Sequence, residues 1–487
     1  MNSDRPKPAS GLRAIEVRSI DYVPASERHG KVWHQGPFWF TGNFVLTTMV
    51  TGFLGPTVGL SLGWSVLAVV LGACFGTFFM AFHANQGPRM GLPQMIQSRA
   101  QFGLRGAIVP FAAVVFVYVG FNVFNVVLAT QGMQTILPGG IGLWYPLLIG
   151  LAIVLAVIGH DLLHRVQRWL TYLLIAVFGV LTVGAMTQLD VPAAAPGSGF
   201  SWTSFLLVFS AAAGYQISYA VYVSDYSRYL PKDVPVKKVI WWTYAGAAGS
   251  AVWLMSLGAL LASAMPKPDA IAGIQQVGNA IVPGFGTFAV VVSALALISV
   301  MAVNAYGGML TSASMVDAFR AVRPTIGIRV IGVVAIQAVV LVVALLLPAD
   351  YLGSLNVFLL LMLYFLIPWT AVNLVDFYFV RRGHYAITAI FDPSGIYGLW
   401  SWRGLAAYLV GMVAMVPFFS TSFYTGPVAA ALDGADISFA VGLLVSGVLY
   451  FALTRGIDLR AEEAAVAASD RELEGAHDPS TAPVAAG

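Results

Sequence analysis

Apolar residues recur along this chain in runs of membrane-spanning length, divided by short polar stretches, over nearly its whole extent. The runs fall near 38–60, 64–83, 106–133, 144–159, 169–187, 204–224, 241–264, 286–311, 326–347, 355–380, 404–421 and 435–454. They predict twelve transmembrane helices, spans 1 to 12 in order, in an all-α integral membrane protein. The stretch 268–283 is too short and too polar to cross, and reads as a re-entrant or interfacial piece outside the membrane. Residues 1–36 form a polar, charged arm, and 37–455 make one twelve-helix domain. The segment 456–487 is rich in Ala, Glu and Asp without apolar periodicity, which predicts a disordered tail.

Two runs carry interruptions. Span 1 contains Thr51-Gly52-Phe53-Leu54-Gly55-Pro56. Pro56 has no N–H, so the carbonyl of Gly52, four residues back, loses its helical partner, and the glycines weaken the helix further. Span 6 contains Gly214-Tyr215-Gln216-Ile217-Ser218-Tyr219, small, polar and aromatic residues interleaved in a run otherwise long enough to cross. Non-helical backbone at membrane depth survives only where it faces protein or a wet cavity, and its freed groups can then hold an ion or a polar solute. Spans 1 and 6 are corresponding members of two five-helix halves, the pattern of an inverted-repeat transporter. Taken alone, the span 1 feature fits a proline kink that only shapes packing.

Polar residues inside the runs are few. Span 3 holds Tyr118-Val119-Gly120-Phe121-Asn122 and then Asn125; Tyr118 and Asn122, four apart, share one helix face. Span 8 carries Ser299, then Asn304 and Tyr306-Gly307-Gly308. A buried amide offers both a donor and an acceptor, which suits the edge of a pyrimidine or purine, and nearby rings can stack on the faces. Any one of these residues alone fits an interhelical hydrogen bond or ordinary packing. Their coincidence with two broken spans points to a binding site at membrane depth.

With 58% hydrophobic and 10% charged residues and a mean hydropathy of +0.80, the chain lies outside the soluble range. The net charge of +3 matters less than its placement. With the N-terminus inside, 24 of the 25 Lys and Arg fall in the arm, the alternate loops and the tail, and only Lys267 falls outside. That alternation supports twelve spans, cytoplasmic N- and C-termini, and a multi-pass protein of the cell's inner (plasma) membrane. The single Cys74 excludes an internal disulfide. No apolar h-region precedes span 1 to make a cleavable signal peptide. The spans hold no Ser-His-Asp grouping, no His/Cys metal spacing and no phosphate loop, so an enzyme is not expected. His160, Asp161 and His164, beside Arg165 and Arg168, read as solvated loop surface. Neither a cofactor, a resident metal nor a nucleic-acid partner is expected. The expected partners are a small-molecule substrate, a proton or sodium ion, and the lipid bilayer. A channel, which needs a continuous lined pore, is the alternative class.

The residues also carry a family likeness. It rests on Asp21-Tyr22-Val23-Pro24 with Glu27-Arg28, the span 1 run above, and Ser98-Arg99-Ala100-Gln101-Phe102-Gly103 before span 3. It rests further on Ser224-Asp225-Tyr226-Ser227-Arg228-Tyr229-Leu230-Pro231 closing span 6 and Asn373-Leu374-Val375-Asp376-Phe377-Tyr378 closing span 10. Over roughly 20–450 the chain resembles the nucleobase–cation symporter family, which includes cytosine and purine permeases and hydantoin, uracil and allantoin carriers. The first and fourth motifs look most like its purine–cytosine branch. The resemblance implies a LeuT-type fold: ten core helices as two inverted five-helix repeats, plus two C-terminal helices, with helices 1 and 6 broken. It implies alternating access, with substrate held between spans 1, 3, 6 and 8.

By position, the resemblance implies that Tyr118 stacks on the substrate, where the family often has Trp, and that Asn122 and Asn304 hydrogen-bond it. Gln216 falls where span 6 usually offers a second aromatic. Phe121, Tyr215 or Tyr219 then supplies the ring, or the extra amide grips the substrate. Gly52 and Ser218, at the two interruptions, complete the candidate substrate set. Sodium-coupled members place two adjacent hydroxyl residues of span 8 beside carbonyls of span 1. Those positions read Ile298-Ser299 here, which leaves Gly52 and Ser299 as candidate cation residues. A hard cation needs oxygen ligands, so the lost hydroxyl favours proton over sodium coupling. The expected function is secondary-active import of a nucleobase such as cytosine or a purine. The alternative substrate is another small heterocycle, a vitamin precursor or a hydantoin- or allantoin-type compound.

Overall fold

The structure, a computed structural model, describes residues 21–158, 160–189, 199–265, 267–320 and 325–475. The first twenty residues of the arm, the end of the tail, and the side chains of His160, Asp161 and His164 lie outside the described residues.

Among the described residues, eight helices are long and apolar enough to cross a bilayer unaided. They are Leu62–Met90 (span 2), Ile108–Gln134 (span 3), Trp169–Gln188 (span 5), Trp202–Ser227 (span 6), Val236–Ser263 (span 7), Phe285–Asp317 (span 8), Ile326–Leu346 (span 9) and Tyr351–Val380 (span 10). Spans 4 (Ile141–Val157), 11 (Trp402–Phe418) and 12 (Ser438–Thr454) are shorter apolar helices. At 1.5 Å per residue such helices still reach about 25 Å. Span 1 is in pieces, Gln35–Gly42, Leu46–Thr51 and Leu54–Thr57. The order is consistent with twelve crossings.

Spans 1, 2, 6 and 7 pack on one another, and spans 3, 4, 8 and 9 do the same, with span 5 against span 8. Each helix in these groups is therefore joined by the one five later in the chain, as two repeats of five require. Span 10 links span 6 to spans 11 and 12, which pair with each other. Large apolar side chains left exposed, among them Leu151, Val183, Ile331, Leu346 and Val413, lie on spans 4, 5, 9 and 11. Those faces suit lipid rather than water as solvent.

The basic loops meet on one face of the bundle. Arg28 donates to Pro88 O (2.8 Å), Arg99 Nη2 to Ser314 O (3.2 Å), Arg105 Nε to Ala318 O (3.4 Å) and Arg228 Nη1 to Asp21 O (3.3 Å). These guanidiniums tie the arm and the loops after spans 2, 6 and 8 together, so the sequence alternation has a structural counterpart. On the opposite face, the 268–283 stretch forms the helix Ala270–Ile281. Asp269 caps its start, and Ile271, Ile274 and Val277 are turned inward. It does not cross.

The tail departs from expectation. Leu459–Gly475 is a helix, set at 90° to span 12. Composition alone suggested disorder because the apolar positions are sparse, yet Ala and Glu are strong helix formers. Ala465, Val466 and Leu473 pack against the bundle, and Ser469 Oγ accepts from Thr388 N (3.1 Å). Arg381 clamps the helix through Nε and Nη2 to the two Glu462 oxygens (2.8 and 2.9 Å).

Beneath the basic face a chain of side chains crosses the interior. Gln94 Nε2 donates to Gln86 Oε1 (2.9 Å), Gln86 Nε2 to Asn373 Oδ1 (2.6 Å) and Asn373 Nδ2 to Gln101 Oε1 (3.4 Å). Gln101 Nε2 then donates to Asp376 Oδ2 (2.7 Å). Asp376 also accepts from Tyr385 (2.7 Å), Tyr450 (2.9 Å) and Arg381 Nη1 (2.6 Å). Spans 2, 10 and 12 and the tail helix are joined by this one network.

Candidate functional site

The backbone of span 1 leaves the helix at residues 43–45. Asn43 ends the first piece, Val45 is extended (φ −136°, ψ 160°), and Leu46 restarts the helix. Side chains hold the opening. Thr48 Oγ1 donates to Asn43 O (2.7 Å), while Asn43 Nδ2 donates to Ala247 O of span 7 (3.0 Å) and Gln216 Oε1 of span 6 (3.3 Å). Buried backbone groups need such partners once the helical ones are lost.

At 52–56, where the sequence placed the break, the chain keeps helical dihedrals, with Gly52 at φ −67° and ψ −20°. It tightens instead of opening: Gly52 N reaches Met49 O and Phe53 N reaches Val50 O, both at 3.0 Å, as in a 3₁₀ turn. Gly52 is a packing residue here. A Cβ on it would stand 1.8 Å from Met255 O, so its absence lets span 7 close on span 1. The break expected at Pro56 sits earlier, at 43–45, where polar side chains can replace the lost bonds.

Span 6 is interrupted near where its sequence suggested. Trp202–Ile217 is followed by a 3₁₀ turn, Ser218–Tyr222, and a last α-helical turn, Val223–Ser227. Ser218 Oγ returns to Tyr215 O (2.6 Å), and the Tyr215 hydroxyl lies 2.7 Å from Thr48 Oγ1. The two broken spans are thus bonded to each other at their breaks.

Spans 3 and 8 face this junction. Tyr118 rests against Gly307, where a Cβ would come within 2.7 Å of its ring, and against Gly308. Asn122 Nδ2 donates to Met301 O (2.9 Å). Asn304 lies between those two contacts at helical spacing, so it shares their face. The Tyr118 ring is 21° from parallel to Tyr222 of span 6, centroids 5.8 Å apart, and Phe121 sets its edge to Tyr215 at 5.3 Å. The structure therefore brings Tyr118, Phe121, Asn122, Tyr215 and Asn304 into one junction of spans 3, 6 and 8.

Three polar groups on spans 3 and 8 stand out for lacking partners among the described residues. Asn122 Oδ1 is fully buried without a hydrogen bond, as is Ser299 Oγ. Asn304, 8% exposed, makes no hydrogen bond among the described residues. Gln216 is the opposite case. Its Oε1 accepts from Asn43 and its Nε2 donates to Ala247 O (3.1 Å), so both ends of the amide are spent on spans 1 and 7.

Sequence reasoning passed over Asn43, Thr48 and Tyr222. The signal was present: Thr41-Gly42-Asn43 and Thr47-Thr48 are polar positions inside an apolar run, one turn apart. Tyr222, not Tyr215, Tyr219 or Phe121, is the ring that lies nearly parallel to Tyr118. Trp39 packs on Tyr219, Tyr222 and Tyr226 with centroids 5.6 to 6.2 Å away, sealing the junction toward the basic face. None of the residues named at the junction is charged, so the site as built is polar and neutral.

The comparisons with known proteins agree with this architecture. The solved structure of Mhp1, a nucleobase-cation-symport-1 family transporter, in a closed conformation with bromovinylhydantoin bound superposes with a TM-score of 0.70 at 16% identity, covering 95% of this chain and 99% of that one. Its inward-facing conformation gives 0.72 at the same identity, covering 96% and 99%. Among curated proteins, "Putative purine-cytosine permease YxlA" of Bacillus subtilis is 41% identical over 91% of this chain and 96% of its own length. The purine-cytosine permease FCY2 of Saccharomyces cerevisiae is 27% identical over 89% and 85%. The chain shares the fold of these transporters and is a permease, not an enzyme. Residues 22–442 match the family described as permeases for cytosine/purines, uracil, thiamine and allantoin, and the chain belongs to that family.

Proposed function

We propose that this protein imports a nucleobase, cytosine or a purine, by alternating access in symport with a cation. The observation that carries the reading is the unpaired Asn122 Oδ1, with Asn304 making no hydrogen bond among the described residues on the facing span, beside the Tyr118–Tyr222 rings. A buried amide without partners is costly unless something completes it. A planar base with donors and acceptors on its edge does so, and its faces match the rings. In this reading Tyr118 and Tyr222 contact the base faces, Asn122 and Asn304 its edge, and Phe121 and Tyr215 close the side. Gln216 and Ser218 hold the breaks that frame the site, and Gly52 lets span 7 close on span 1. The family description and the names of the curated relatives support the substrate class.

Proton coupling is favoured over sodium because Ile298 stands beside Ser299 where two hydroxyls would ligate the ion, so Ser299 is the single candidate oxygen from that pair. The basic face is the cytoplasmic one by the positive-inside rule, which puts both termini inside the cell's inner membrane. The test is uptake in proteoliposomes against a competing panel of cytosine, adenine, hypoxanthine, uracil, allantoin and thiamine, under a pH or a sodium gradient. Inhibition by cytosine or a purine with pH-driven accumulation is expected. Inhibition only by allantoin or thiamine would replace the substrate, and downhill flux without counterflow would indicate a channel. Impermeant labelling of cysteines placed at Lys267 and Lys237 on intact cells should mark 267 and spare 237.

A further inference from the structure

His83, near the end of span 2, takes no part in the site above, yet it is fully buried. Its ring lies flat on Trp369 of span 10, 3° from parallel with centroids 4.6 Å apart. Gln94 Nε2 is 3.1 Å from His83 Nδ1 and can only donate, so Nδ1 accepts and the ring is the neutral tautomer with its proton on Nε2. That Nε2 has no hydrogen-bond partner among the described residues. The Gln94 orientation is fixed from both sides: Nε2 also donates to Gln86 Oε1, and Oε1 accepts from Ser224 Oγ of span 6 at 2.6 Å. Ser224 Oγ also approaches His83 O at 3.1 Å, and Gln94 N donates to Asp225 Oδ1 at 2.8 Å.

We propose that His83 is the proton-binding group of the transport cycle, and that protonation at Nδ1 turns the Gln94 amide and so resets its bonds to the last turn of span 6 and to Gln86. This rests on the proton-coupled reading above. A proton on Nδ1 would set two donors against each other across 3.1 Å. Turning the amide restores a bond by offering Oε1 to Nδ1, but it sets that oxygen against Gln86 Oε1 and reverses the bond to Ser224, whose Oγ then accepts from Nε2 and whose proton is left to His83 O. The step consumes nothing else: the proton arrives from one aqueous face and leaves to the other. Its place in the fold suits coupling, because span 2, the end of span 6 and span 10 meet at this ring, and span 10 lies outside the group of spans 1, 2, 6 and 7. Rocking of one group against the rest passes through such a joint. The titratable groups nearest it are Asp225, Tyr219, Tyr222 and Tyr226 at the end of span 6 and Arg89 at the end of span 2. Span 10 adds Asp376, which Arg381 neutralises, and Tyr378, whose hydroxyl donates to Phe82 O (2.8 Å). The loop helix Gln94–Gln97 adds none.

The experiment uses the full chain in proteoliposomes and the best-transported base from the panel. His83→Gln, uncharged at every pH, should keep counterflow within about threefold of wild type but lose accumulation under an imposed pH gradient. It should also lose the internal acidification that accompanies uptake. Ser224→Ala keeps the imidazole but cuts its link to span 6, and should likewise retain counterflow while accumulation falls at least about fivefold. Wild-type accumulation by His83→Gln overturns the assignment. If His83→Gln no longer binds the base, unchanged accumulation by Ser224→Ala overturns it instead. Wild-type protein driven by sodium and not by pH removes the proton reading itself, and pH-driven accumulation by wild type and His83→Gln alike removes only the assignment.

Discussion

The interior holds two polar regions, equally buried and made of the same amide chemistry, that differ in one respect. Under the basic face, Gln86, Asn373, Gln101 and Asp376 pass hydrogen bonds from side chain to side chain until the charges of Arg381 and Glu462 end the line. At the junction of spans 3, 6 and 8, Asn122 Oδ1 and Asn304 have no hydrogen-bond partner among the described residues. A polar group taken out of water is costly until it is paired, so a closed network reads as structure and an open one as a place for a ligand. Residue type did not separate the two regions; the state of their partners does.

That contrast is broken most severely at Asp376. Its carboxylate is completely buried and takes bonds from Arg381, Tyr385, Tyr450 and Gln101. Asp376→Ala leaves Arg381 without its nearer counter-charge and three donors unmet, which should cost about 3–5 kcal/mol. Thermal unfolding of the purified protein in detergent reads this directly. Whatever fraction remains folded should bind the base with wild-type affinity, because Asp376 belongs to the closed region. Affinity loss without loss of stability would reverse the assignment of the two regions.

The open region should behave the other way. Asn122→Ala and Asn304→Ala remove groups that only a ligand completes, so unfolding should scarcely move while affinity falls about tenfold or more, or about 1–3 kcal/mol. Asn122 also donates to Met301 O, so it should carry the larger stability change of the two. Isothermal binding and melting curves on the same preparations place each variant on both axes. Equal affinities for both variants and wild type would move the site elsewhere.

How legible these regions were differs along the chain. The spans, their order and the face of the basic loops could be read because bilayer-length apolar runs and Lys/Arg placement are one-dimensional signals. The likeness to a transporter family named the residues of spans 3 and 8. The exact opening of span 1 was not readable from Pro56, because proline and glycine mark where a helix is weak, while Asn43, Thr48 and Gln216 decide where it opens. Gln216 lies far from the other two in sequence and meets them only in the fold. The same holds for Tyr222, whose partnership with Tyr118 depends on the 3₁₀ turn that rotates it. The tail helix was hidden because its anchors, Arg381 and Thr388, belong to another loop.

Gln216 tests whether a residue at a family substrate position has changed sides. Its two amide ends bind Asn43 and Ala247 O, so Gln216→Ala strips the break of span 1 of support and should cost about 1–2 kcal/mol of stability. Transport rate should fall, and affinities across a nucleobase series should shift together. A loss that follows the donor and acceptor pattern of the base would return Gln216 to the substrate's edge. Gln216→Phe should not improve stacking, since Tyr222 already faces Tyr118, and should destabilise by removing one bond each from Asn43 and Ala247 O, which keep their bond to each other and, for Ala247 O, that of Ser250.

The smallest effect is expected at the outer end of the closed network. Glu462 holds two of the Arg381 nitrogens, but it is 14% exposed, whereas Asp376 is 0% exposed and 2.6 Å from the same guanidinium. Glu462→Gln keeps the side-chain shape and one acceptor and removes the charge. Asp376 still neutralises Arg381, and water can reach the vacated acceptor site, so the cost should be near the surface-pair range, about 0.5–1 kcal/mol. The tail helix keeps its apolar contacts through Ala465, Val466 and Leu473 and should stay docked. Limited proteolysis within 459–475 together with a melting curve reads both quantities. Release of the helix with no change in melting would detach the tail from the network. A loss as large as that of Asp376→Ala would make Glu462 the principal counter-charge of Arg381.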